Sequence, residues 1–165
     1  MKAAEAVTVG IVVLGAIDTW LTADIVIVPV WVTFIAWASF FILGAGKGGW
    51  VRSVASNITG IVIASLTLLA ISGAPSNIYA AAILVGIGSG AMVQASKIQL
   101  MSKLPGIVWG FASLVGTTAA TGKAITTPDL LSHPTAVAIV AMVIGNCFGF
   151  VHEIMANALT SPEKK

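Results

Sequence analysis

No charged residue stands between Asp24 and Lys47, between Lys103 and Lys123, or between Asp129 and Glu153. Each gap is close to the ~20 residues that an α-helix needs to cross ~30 Å of hydrocarbon. The stretch from Arg52 to Lys97 is twice as long, and "SGAPSN", Ser72 to Asn77, breaks it with the Gly, Pro and Asn of a turn. The spacing therefore predicts spans at about 25–45, 53–71, 78–95, 104–121 and 134–157. A sixth, about 3–21, carries Glu5 and Asp18 near its ends. Asp18 is expected to reach headgroup water from there.

Apolar residues make up 58% of the chain and charged residues 8%. A soluble domain carries about 25% charged residues, so lipid is the natural solvent here. Membrane barrels alternate apolar and polar residues, whereas these runs are continuously apolar, and a backbone in lipid must bond internally. The expectation is an all-α integral membrane protein with six transmembrane helices in a single domain, residues 1–165. Met1-Lys2 before an apolar run also fits a signal peptide, but Glu5 lies early in that run and no small-residue cleavage site precedes Asp18. The first segment is therefore read as a retained helix.

Lysine and arginine in short loops set orientation. With the N-terminus inside, Lys2, Lys47, Arg52, Lys97, Lys103, Lys164 and Lys165 are cytoplasmic, and only Lys123 is outside. Both termini are then cytoplasmic, the last residues 158–165 form a short tail, and the membrane is the cell (inner) membrane. The scattered cations argue against nucleic acid as a partner.

Two segments run nineteen residues from a proline to a Gly-Lys: "PVWVTFIAWASFFILGAGK", Pro29 to Lys47, and "PGIVWGFASLVGTTAATGK", Pro105 to Lys123. At this offset of 76 residues, Pro29 meets Pro105 and Gly46-Lys47 meets Gly122-Lys123. The same offset separates a three-helix unit at about 3–71 from another at about 78–157. Three is odd, so the second unit enters the membrane inverted, a plan that many transporters share. Lys123 then lies outside as the mirror copy of Lys47.

Helices in lipid pack through small residues. Gly86 and Gly90, Gly106 and Gly110, and Gly145 and Gly149 are each four apart. These grooves predict a homo-oligomer, a trimer being among the forms it could take, with membrane lipid as the surrounding partner. Polar residues inside spans are costly and therefore informative. Ser39, Asn57, Thr59, Ser113, Thr117 and Asn146 are the candidates, with Phe34, Trp37, Phe40 and Phe111 as apolar constrictions. A serine or threonine commonly bonds back to the helix carbonyl four residues earlier, which an asparagine amide does not do. The asparagines therefore either line a solute path or bridge helices. Glu153 is expected to pair with Lys97 or Lys103, and His152 to cap the interface, with a proton relay as the alternative. No span shows a carboxylate at mid-depth, which argues against an ion-coupled pump.

"GAGKGG" at Gly44 to Gly49 lacks the Ser or Thr that a phosphate loop places after its lysine. "GIGSG" at Gly86 to Gly90 follows no strand, as a dinucleotide fingerprint requires. Cys147 is the single cysteine, and His133 and His152 have no nucleophile at a telling spacing. No enzyme activity, cofactor or metal is expected. "FIAWASFFILGAGKGGW", "SNITGIV" and "QASKIQLMSKLPGIVWGFASL" resemble a small bacterial inner-membrane family labelled domain of unknown function 1097. The resemblance implies a short six-helix membrane protein and carries over no catalytic residue. The outer loop "TGKAITTPDLLSHP" is longer than that pattern. Two functions remain: a passive channel or facilitator for a small uncharged polar solute, or a non-transporting scaffold assembled through its glycine faces.

Overall fold

The computed structural model describes residues 1–161, so Lys164 and Lys165 of the orientation argument lie outside the described residues. Six α-helices follow in order: α1 Ala3–Trp20, α2 Val30–Ile42, α3 Gly46–Gly73, α4 Ile78–Ala95, α5 Leu104–Thr121 and α6 Pro134–Leu159. There is no strand among the described residues. All except α2 are long and apolar enough to cross a membrane, α1 counted with its continuation to Ile25. The chain is a multi-pass helical membrane protein.

The expected span at about 25–45 is not one helix. α1 runs on as a π-helical turn, Leu21–Ile25, and Val26–Pro29 then crosses without helix before α2 begins. Pro29 lacks an N–H and disfavours helical backbone at the residue before it, so a helix cannot run through this point. Ile27 takes a φ of 51°, a region that a β-branched residue rarely visits. Across the break Val26 N donates to Leu21 O and Val28 N to Thr22 O. What remains of α2 is 13 residues, or ~20 Å of rise. At its far end Gly44, Ala45 and Gly46 have φ of 110°, 51° and 59°, a left-handed turn that suits glycine. Arg52 Nε donates to the Leu43 carbonyl at 2.9 Å and steadies that turn.

The two ends of the bundle differ. The N-terminus meets the end of α6, where the Met1 ammonium donates to Leu159 O at 3.1 Å and to Ser161 Oγ at 2.9 Å. This is the terminal end, and Lys103 Nζ donates there to Ile42 O at 3.2 Å. The α1–α2 and α5–α6 connections meet at the other end around an open cavity of about 610 Å³, bounded by the unwound Val26–Pro29, Thr22, Thr121, Lys123 and Ser132. This is the vestibule end. Non-helical backbone at membrane depth is tolerated where it lines such a space.

α2 packs chiefly on α6 and α5 chiefly on α3; α1 lies on α6 and α4 on α3, while α3 and α6 cross centrally. Glycine sets these distances. A Cβ on Gly60 would fall 1.9 Å from Ile107 O, and one on Gly145 would fall 2.0 Å from Thr33 O. The buried positions Val32, Thr33, Ala36, Trp37, Ser39 and Phe40 on α2 have the same spacing as Gly106, Ile107, Gly110, Phe111, Ser113 and Leu114 on α5, a constant shift of 74 (106 − 32). On α3, Asn57, Gly60, Ile61, Ala64 and Thr67 have the spacing of Met142, Gly145, Asn146, Gly149 and His152 on α6.

Candidate functional site

Backbone contact between α3 and α5 creates the central polar cluster. A Cβ on Gly110 would sit 1.9 Å from Asn57 O, so only glycine lets the helices come this close. Asn57 Nδ2 can therefore reach across to the Gly106 carbonyl, donating at 2.9 Å, and it also donates to Ser39 Oγ on α2 at 3.1 Å. Ser53, one turn before Asn57, donates to Ser39 Oγ at 2.7 Å. From α6, halfway along its length, Asn146 Nδ2 donates to Asn57 Oδ1 at 3.0 Å and, contrary to the expectation for an amide, also bonds back to the carbonyl four residues earlier, Met142 O, at 2.8 Å. Ser39, Ser53, Asn57 and Asn146 are all fully buried. Four helices thus contribute to one network, which leaves only Asn146 Oδ1 of its oxygens without a partner.

Ser39, Asn57 and Asn146 are brought together as a set, and the asparagines bridge helices. The other expected residues bond to none of them. Thr59 bonds back to Ala55 O, with Met101 Sδ lying against the same hydroxyl. Thr117 bonds back to Ser113 O, while the buried Ser113 hydroxyl has no partner. Phe40 is fully buried beneath Gly149, and Phe111 packs beside Gly88. Phe34 is 39% exposed on the outer surface, where it stacks on Trp37 at 5.7 Å. These rings form no constriction around the cluster.

A second polar seam runs between α1, α2 and α6, where sequence reasoning expected interfacial groups. Asp18 does not reach headgroup water. It is fully buried, and Thr33 Oγ1 lies 2.5 Å from its Oδ2. Thr33 packs on Gly145, eleven residues in from Pro134, or ~16 Å of helix rise. A carboxyl therefore does stand deep in the bundle. One helical turn along α2 from Thr33, Trp37 Nε1 donates to His152 Nδ1 at 3.1 Å. His152 Nε2 donates to Val7 O at 3.0 Å, so the two partners settle a neutral tautomer with its proton on Nε2. The ring is 2% exposed and is not an interfacial cap; Gly10 makes room for it, since a Cβ there would fall 2.4 Å from Cδ2. Glu153 does not pair with Lys97 or Lys103: its Oε2 accepts from Gly46 N at 2.8 Å and caps the first turn of α3. No metal-holding cluster of His, Cys, Asp or Glu occurs among the described residues.

Fold and polar interior together define a compact multi-pass helical membrane protein with a hydrogen-bonded core. The model of the family described as protein of unknown function (DUF1097) matches residues 6–157, and the chain belongs to that family. No curated protein and no solved structure matches the chain.

Proposed function

We propose that the chain is a passive facilitator for a small uncharged polar solute, working through two inverted three-helix halves in the cell (inner) membrane. The buried Asn57–Asn146 amide pair, joined by Ser39 and Ser53, carries this reading. Amides and hydroxyls can replace the water that an uncharged solute loses, without any charge in its path. In this structure they are closed on one another, so passage requires them to exchange their mutual bonds for bonds to the solute. The inverted plan is supported by the matching burial registers and by paired close approaches, Gly60 on the Ile107 carbonyl and Gly145 on that of Thr33. Under that plan the shift between α2 and α5 is 74 residues, so the equivalent of Pro29 is Lys103 and not Pro105. All six helices are taken as crossing, α2 with the help of its extended lead-in. Lysine and arginine placement puts the terminal end in the cytoplasm.

Vesicles containing the protein, challenged with gradients of small amides and short alcohols and followed by light scattering, test this reading. Ser39→Ala, which removes one hydroxyl and leaves both asparagines in place, should slow the flux. Equal permeability of empty and loaded vesicles would reject the facilitator. A scaffold is the second reading. It is favoured by Gly86 and Gly90 on α4, which have no neighbour within 4 Å and leave a flat face for another copy in a homo-oligomer.

A further inference from the structure

The Thr33 hydroxyl has one proton and two acceptors within reach, Asp18 Oδ2 at 2.5 Å and its own helix's Val30 O at 2.6 Å. With Asp18 ionised, only one of these two contacts can be a hydrogen bond, and the other sets two lone pairs against each other. With a proton on Oδ2 both are satisfied: the carboxyl donates to Thr33 Oγ1, and Thr33 donates to Val30 O. The other oxygen, Oδ1, is buried with no partner, and a bare carboxylate in that position would be costly inside a membrane. Heavy-atom geometry at Thr33 thus favours a carboxylic acid at Asp18.

The vestibule lies one helical turn further along the chain: Thr22, whose Oγ1 donates to the backbone carbonyl of Asp18 at 2.7 Å, lines it, while the Asp18 carboxyl itself is enclosed. Between that cavity and Asp18 the helix is π-wound and then unwound, from Leu21 to Pro29. Single π turns concentrate at functional positions, because they free backbone groups and loosen the local ladder. Few other charges surround the site. α2 brings no titratable group; α6 brings His152 and Glu153, both toward the terminal end, and the exposed Cys147. Asp24 on the π turn, and Lys123 and Asp129 on the α5–α6 connection, are all exposed, while the half-buried His133 at the N-cap of α6 has Nε2 2.9 Å from Ile125 O.

We propose that Asp18 is an exchangeable proton site, loaded and emptied through the vestibule at the α1–α2 turn. Loading takes one proton from vestibule water onto Oδ2, and emptying returns it there. Emptying forces Thr33 to choose between Asp18 and Val30 O, and so changes the seat of α2 against α1. A further consequence rests on the facilitator reading: the flux should then respond to pH on the vestibule side.

Dicyclohexylcarbodiimide, which adds to protonated carboxyls in apolar surroundings, is the probe, applied to the full chain in vesicles and read by peptide mass spectrometry. The expected result is modification at Asp18 that falls as the pH is raised and disappears in Asp18→Asn. That variant keeps an oxygen and a donor for Thr33, and should fold normally. Two results would overturn the site: Asp18 unmodified at every pH in the folded protein yet modified after unfolding in detergent, or modification independent of pH. Labelling needs no transport. A pH-dependent label without pH-dependent flux therefore upholds the site and rejects its link to solute passage.

Discussion

Gly60→Ala isolates the feature that makes the central cluster. The added methyl would lie 1.9 Å from Ile107 O, 2.7 Å from Phe111 N and 2.9 Å from Ile107 C. All three are backbone atoms, so no rotamer change relieves the overlap. Bringing the shortest contact even to 3.0 Å, a separation that real Cβ atoms essentially never undercut, requires α5 to move by about 1.1 Å, the difference from 1.9 Å. Overpacking on this scale costs typically 1–3 kcal/mol. The same movement stretches the 2.9 Å bond from Asn57 to Gly106 O beyond its range and leaves buried polar groups unpaired, at ~1–3 kcal/mol more. A loss of about 2–6 kcal/mol is expected. Gly86→Ala is the control, because nothing lies within 4 Å of that position. It should change stability by no more than about 1 kcal/mol, in the stabilising direction, since alanine is the better helix former. Detergent-induced unfolding in mixed micelles, followed by tryptophan fluorescence, measures both. Equal stabilities for the two variants would refute the claim that the α3–α5 approach is set by backbone contact.

Cysteines placed at Lys97 and Lys123, in a background lacking Cys147, should be labelled from the cytoplasmic and the outer side respectively; outside labelling at position 97 would reverse the orientation. Trp37→Phe keeps an aromatic ring but leaves the His152 Nδ1 acceptor buried and unpaired, and should cost ~1–3 kcal/mol in the same unfolding assay. An unchanged midpoint would show that this bond does not hold the seam. Gly86→Leu should leave the protomer folded but disrupt association, as read by native mass spectrometry in mild detergent; wild-type protein found only as monomer would count against a homo-oligomer.

Charge gaps made the helices legible, because a charge inside hydrocarbon is costly wherever the chain goes. The shortness of α2 was hidden for the same reason: Val26, Ile27 and Val28 are as apolar as any helical residue, and hydropathy does not register a broken backbone. Pro29 was the available signal, and it served as a landmark for the repeat when it also marked the helix start. The burial registers of α2 and α5 match at a shift of 74 rather than at the 76 of the prolines, since prolines tolerate several positions near a helix N-terminus whereas buried faces do not. Asn57, Asn146 and Ser39 were readable one by one as costly polar residues. Ser53 was missed, although it stands one turn from Asn57 on the same face. The Asp18–Thr33 and Trp37–His152 pairs had no local signature, because each joins helices distant in sequence. Thr33 and Trp37, four apart on α2, were the trace that sequence held of the seam.

The two-fold reading also explains a hydroxyl that otherwise looks misplaced. If α2 repeats as α5 and α3 as α6, then Ser39, Ser53 and Asn57 correspond to Ser113, Ala138 and Met142. At those positions the serine is present but Ala138 and Met142 are apolar, and the Ser113 oxygen is buried without a partner. The seam follows the same rule. Gly10 admits the His152 ring, and Gly88 stands against the Thr67 side chain, with a Cβ there falling 2.4 Å from Oγ1. Thr67 has only its own helix's Ile63 carbonyl for a partner, where His152 joins two other helices. Backbone packing is therefore duplicated but the polar chemistry is not: α1 and α2, with the faces of α3 and α6 that they touch, hold nearly all of it. Packing alone gives no reason for this bias, since the apolar version holds α4 and α5 equally well in lipid. Buried amides, a carboxyl and an imidazole carry a standing cost in a membrane, and here they gather where α1 and α2 meet α3 and α6 rather than around α4 and α5.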